Sequence, residues 1–126
     1  MRRPPSVQER ADALLHEWAG GVEAALGHGY PPAPQSGRVQ NGRGDSTSPE
    51  RYAHSHARHE QLDRAARRVA DIDPRWRGVL WVQYVQRVSS MGILADRMGA
   101  SERTCRRWLK KAREAFIEAF DGSLSA

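Results

Sequence analysis

Arg103, Arg106, Arg107 and Lys110 recur at steps of three, one and three, with Ser101 and Thr104 just ahead and Lys111 and Arg113 beside them. On a helix that spacing gathers the cations on one side. A guanidinium binds phosphate as a planar fork and reads the O6 and N7 edge of guanine bidentately, whereas a lysine ammonium is a point charge suited to phosphate. The opposite face carries Cys105, Trp108, Leu109, Ala112, Phe116, Ala119 and Phe120, an apolar stripe that calls for burial. The chemistry on offer is recognition of an anion. No nucleophile beside a base, phosphate-cradling glycine loop or clustered carboxylates can be read from the chain. An enzyme is therefore not expected, and no cofactor is implied.

The elements that must hold these residues are legible from their punctuation. Ser89 or Ser90 reads as the cap of a short helix carrying Ile93, Leu94, Ala95 and Met98. Gly99 supplies a left-handed turn that a residue with a Cβ adopts only at a cost. Ser101 then caps a final helix running to about Phe120, with Gly122 closing it. The result is a helix-turn-helix over residues 90–120. A DNA major groove admits one α-helix between walls of phosphate. Arg103, Arg106 and Arg107 would read or position on that groove, and Lys110 and Lys111 would hold phosphate. Ser101 anchors the helix start, where free amides also accept an anion. A basic stripe by itself is more often a solvated face. Here the turn chemistry and the opposed apolar stripe favour duplex DNA.

The chain has 126 residues, enough for one compact domain, and its 20 basic against 15 acidic side chains give a net charge of +5. Only two of the basic residues are Lys. Residues 1–48 are neutral overall, so the whole excess lies in residues 49–126. A single Cys excludes an internal disulfide, no apolar run approaches the ~20 residues of a membrane span, and Met1-Arg2-Arg3-Pro4-Pro5 lacks the apolar stretch of a secretory signal. A soluble protein of the bacterial cytoplasm, with no membrane partner, is expected.

Helical periodicity starts at Ser6, with Glu9 completing a capping box. It follows Val7, Ala11, Leu14, Leu15, Trp18, Val22, Ala25 and Leu26, and Gly20-Gly21 interrupts it, so a kink or an end is expected after Ala19. This N-terminal helix, residues 1–27, reads as a protein-contact segment. Residues 28–48 read as a flexible loop rich in Gly and Pro. Residues 49–122 read as the helical DNA-binding domain. Within it, Pro49 opens a helix to about Ala70 with Tyr52, Leu62, Ala65, Ala66, Val69 and Ile72 inside. Asp73-Pro74 opens another, to Gln86 or Arg87, with Trp76, Val79, Leu80, Val82, Tyr84 and Val85 inside. No strand-type alternation is present, and the fold class is all-α.

Other chemistry-bearing residues carry blander readings. His54, His56 and His59 do not share one helix face and lack a neighbouring Cys, so no metal site is expected. Cys105 lies on the apolar stripe and reads as core. Trp76, Trp81 and Trp108 sit among apolar neighbours and read as packing. Trp18 and Tyr30 are candidates for contact with a protein partner, or for covering the C-terminal bundle.

The run Asp73-Pro74-Arg75-Trp76-Arg77-Gly78-Val79-Leu80-Trp81-Val82-Gln83-Tyr84, followed by Leu94-Ala95-Asp96-Arg97-Met98-Gly99-Ala100-Ser101-Glu102-Arg103-Thr104-Cys105, resembles region 4 of bacterial sigma factors. Cys105 stands where that family has Val. The rest is not sigma-like, since a promoter-melting region 2 is missing. Leu15-His16-Glu17-Trp18-Ala19 and Gly29-Tyr30-Pro31, ahead of that half, resemble the smaller type of phage antitermination protein Q. The resemblance implies a DNA-binding transcription regulator that loads onto a paused RNA polymerase and lets it read through terminators. Implied partners are double-stranded DNA and bacterial RNA polymerase, with sigma factor an optional companion and self-association on DNA left open. Many members carry extra Cys in the middle region; this chain does not, so no zinc site carries over. The alternatives are a small terminase subunit that packages phage DNA, a simple helix-turn-helix repressor, and a protein-interaction module whose basic face engages an acidic partner.

Overall fold

A computed structural model describes residues 3–27 and 49–125 of the chain, without the side chains of 27, 49–55 and 125. The expected loop at 28–48, the Ser48 cap, Tyr30, and the Tyr52 and His54 side chains lie outside the described residues. Among those described there are five α-helices and no strands: α1 (Val7–Gly27), α2 (Pro49–Ile72), α3 (Pro74–Leu80), α4 (Met91–Met98) and α5 (Glu102–Ser125). A π-helical turn, Trp81–Val85, continues α3. The fold is all-α, and no described helix is long and apolar enough to cross a membrane.

Local chemistry sets most of the helix starts. The Glu9 amide donates to Ser6 Oγ at 3.1 Å and the Ser6 amide to Glu9 Oε1 at 2.8 Å, a complete capping box. Asp73 Oδ1 accepts the Arg75 amide at 3.0 Å and so caps α3 ahead of Pro74. α5 runs past Gly122 to Ser125, because Gly122 keeps a negative φ and leaves the helix unbroken.

One core joins all five helices. Ala11, Leu15, Trp18 and Ala19 of α1, Leu62, Ala65, Ala66 and Val69 of α2, Val79 and Leu80 of α3, Leu94 of α4, and Cys105, Leu109, Ala112, Phe116 and Phe120 of α5 are all buried in it. α1 is thus part of the bundle rather than an appendage. Its terminal apolar residues, Val7 at 51% and Leu26 at 62% exposed, project beyond the neighbours that cover its middle. Ile72, expected inside, is 59% exposed: it is the last residue of α2, at the margin of the stripe defined by Leu62, Ala65, Ala66 and Val69.

Charged side chains of α1 tie it to the rest. Arg10 forms two hydrogen bonds with Asp121 of α5, at 2.8 and 2.6 Å. Arg58 of α2 forms two with Glu17, at 2.8 and 2.9 Å. Arg87 pairs with Glu23 at 2.8 Å from the left-handed conformation (φ 54°) that ends the π turn. Hydrogen bonding from Arg58 holds the Glu17 carboxyl below the ordinary carboxylate range, and Arg10 does the same for Asp121. A carboxylate with a depressed folded-state pKa adds stability above its unfolded-state value of about 4, and that stability is lost as pH falls through the folded value. Glu17→Gln is therefore expected to lower the urea midpoint at neutral pH. The gap to wild type should close as the pH falls below about 3, and a gap that persists in acid would contradict the linkage.

The two glycines of α1 do not end it. Gly20 faces open space, whereas a Cβ on Gly21 would collide with the imidazole of His59 on α2. Gly21 is there because another helix needs the room. Gly20→Ala is expected to raise stability by about 1 kcal/mol through helix propensity. Gly21→Ala should lower it by about 1 kcal/mol or more through overpacking. In a His59→Ala background the sign for Gly21→Ala should reverse. Equal effects of the two glycine substitutions in thermal melts would rule out this packing.

Candidate nucleic-acid interface

The site is built around the joint between α4 and α5. Ser90 Oγ accepts the Ile93 amide at 3.2 Å and starts α4, whose Leu94 is buried. α4 stops at Gly99, which adopts φ 69° and ψ 33°, the left-handed geometry that Gly takes without a Cβ penalty. The amides of Gly99 and Ala100 both donate to the Ala95 carbonyl, at 2.9 and 3.1 Å. Ser101 follows: its Oγ accepts the Thr104 amide at 3.1 Å and donates to Thr104 Oγ1 at 3.0 Å. This is a helix-turn-helix with a three-residue joint. Met98 closes it from inside, lying against Gly78 of α3.

α5 divides its residues as its periodicity requires. Cys105, Leu109, Ala112 and Phe116 are buried, and burial pushes the Cys105 thiol up, away from reactive thiolate. Trp76, Trp81 and Trp108 are partly buried against the core. Arg103, Arg106, Arg107, Lys110 and Lys111 are exposed, and Thr104 is half-buried under them. Arg106 has one acidic neighbour, Glu102 at 3.3 Å, but both are more than half exposed, so that pair is weak. Among the described residues, Arg103, Arg107, Lys110 and Lys111 have no hydrogen-bonding or ionic partner for their charged groups. From Arg103 to Lys111 the face is about 12 Å long at 1.5 Å per residue.

Two arginines differ from expectation. Arg113, read as a flank of the basic face, turns inward. Its Nε donates to the Tyr84 hydroxyl at 2.8 Å, that hydroxyl donates to Asp12 Oδ1 at 2.6 Å, and Arg113 stands 3.6 Å from the same carboxylate. Burial pushes the Tyr84 phenol well above its ordinary value, and the bond to Asp12 adds to this. The link fastens α5 to α1 through the π turn, and Gln8 adds a bond to the Lys110 carbonyl at 3.2 Å. Arg75 was not singled out from sequence. Its guanidinium lies 5.1 Å from the centre of the Trp108 ring, held at Nε and Nη2 by Asp73, and extends the cationic surface from α5 onto the start of α3. The spacing of residues 75 and 108 gave no sign of that meeting.

Trp18, a candidate partner contact, is wholly buried and so offers no surface. Its ring meets Trp81 edge-on at 6.3 Å, its Nε1 donates to Asp63 at 3.2 Å, and the Arg77 guanidinium sits over both rings. His59 packs on α1, and His56 pairs with Glu60 at 3.5 Å. Among the described residues no group of three or more His, Cys, Asp or Glu side chains could hold a metal ion.

No protein-family model, curated protein or solved structure matches the chain. Its site has to be judged on its own chemistry.

Proposed function

We propose that this chain is a sequence-specific DNA-binding transcription regulator whose α5 enters the major groove of a duplex. One observation carries the reading: the free half of α5 presents Arg103, Arg106, Arg107, Lys110 and Lys111 to solvent, opposite a stripe buried in the core. Arginines in that half reach base edges, while the lysines and Arg75 meet the phosphate walls. The rigid joint at Gly99 and the links through Gln8 and Arg113 hold the helix in place without using its outer face. The narrower role is phage Q-type antitermination on RNA polymerase, supported by the resemblance of residues 15–19, 29–31 and 73–105 given above. A bacterial host cytoplasm is the compartment that role requires.

Duplex affinity measured by fluorescence anisotropy over a salt series tests the DNA-binding step. With four or five phosphates neutralised, the logarithm of the association constant should fall with the logarithm of salt at a slope of about −4. A flat response would leave a protein-interaction module as the better account. Transcription by purified polymerase across a terminator, with and without the chain, tests the narrower role; equal read-through would remove it and leave a repressor or other DNA-binding regulator.

A further inference from the structure

On the side of the bundle away from the basic face, α2 and the last turns of α5 enclose an open groove of about 960 Å³. Ala119 and Gly122 form part of its floor, small enough to admit a close-packed helix. Ile72, at 59% exposure, stands on its wall with no internal role. Its charges are segregated: Arg64 and Arg68 belong to α2, and Glu118 to α5. Among the described residues none of these three has an ionic or hydrogen-bonding partner.

We infer that this groove is the docking site for a second copy of the same chain. A two-fold interface sets each surface against itself, so a wall bearing Arg68 meets the partner's wall bearing Glu118, and the reverse pairing follows by symmetry. A groove lined by one sign of charge would repel its own copy; this one complements it. Ile72 and the small residues supply the apolar centre, and the charges form the rim that sets register. Arg107 stands twelve residues from Ala119, about 18 Å along the helix. Copies meeting near Ala119 thus hold their basic faces up to about 36 Å apart, close to the one-turn spacing of DNA half-sites, ~34–36 Å. That last consequence rests on the DNA-binding reading; the association itself does not.

Sedimentation velocity of the full chain over a concentration series, without DNA, reads the association directly and independently of DNA binding. A shift from monomer to dimer mass is expected, and either a monomer at every concentration or a larger ring overturns the proposal. Arg68→Glu and Glu118→Arg should each weaken dimerisation at least tenfold. An equimolar mixture of the two should restore it, because the reversed walls then face each other. Ile72→Asp should weaken it as well. All three side chains are exposed, so urea midpoints near wild type will show that the variants fold. Dimerisation that none of the three changes would put the contact elsewhere and overturn the assignment.

Discussion

Replacing Trp18 with Ala is expected to cost about 3–5 kcal/mol of folding stability, read as a fall in the urea midpoint. The indole is wholly buried, and its removal takes away more than packing. The Asp63 carboxylate loses the Nε1 donor, Trp81 loses its edge-to-face neighbour, and Arg77 keeps only one of its two aromatic faces. Burial already pulls the Arg77 guanidinium below its ordinary pKa, with Asp63 opposing, so this cation tolerates little further loss of partners. Trp18→Phe should recover most of the packing and leave the lost hydrogen bond, about 1 kcal/mol, as the residual cost. The pair of variants separates a core role from a partner-contact role. A contact residue on the surface would leave the midpoint within about 0.5 kcal/mol of wild type.

The second large effect runs the other way, leaving the fold intact and removing the proposed binding. Arg103, Arg106 and Arg107 are exposed, and only Arg106 has a partner, a weak one. Changing all three to Ala is expected to keep stability within about 0.5 kcal/mol, since the substitutions touch no core contact and Ala favours helix. Duplex affinity at fixed salt should fall by about 3 kcal/mol or more, above a hundredfold, at the rate of about 1–3 kcal/mol for each good bidentate contact. The salt slope should shrink alongside if any of the three meets phosphate. Unchanged affinity in a protein that melts normally would remove α5 as the reading element.

What the sequence disclosed depended on range. Caps and turns act over three or four residues, and those at Ser6, Asp73, Ser90, Gly99 and Ser101 could be read directly because donor and acceptor sit within one turn of each other. The exposed face of α5 was legible for the same reason, since a stripe and its opposite follow from periodicity alone. Features decided by distant partners were not. Gly21 looks like a helix breaker until His59, 38 positions on, is seen to need its space. Arg113 has the spacing of a basic flank, yet Tyr84 and Asp12 turn it inward. The neutral charge of residues 1–48 suggested a separate segment; in the fold, Asp12, Glu17 and Glu23 each face an arginine from the other part of the chain. Arg75 reached its place over Trp108 by tertiary contact alone.

The π turn at Trp81–Val85 sets a length that the chain cannot easily change. Its Gln86 amide reaches back five residues to the Trp81 carbonyl at 3.0 Å, so the turn accommodates one residue more than an α-helix would. Deleting any single residue there would let the helix close up, swinging everything downstream by about 100° and drawing it about 1.5 Å back along the axis. The phenol would then miss both Asp12 and Arg113, and the serine that begins the next helix would be pulled out of register with its glycine joint. The interval from Asp73 to Ser90 therefore behaves as a gauge block. Side chains along it can be exchanged one at a time, but its residue count cannot.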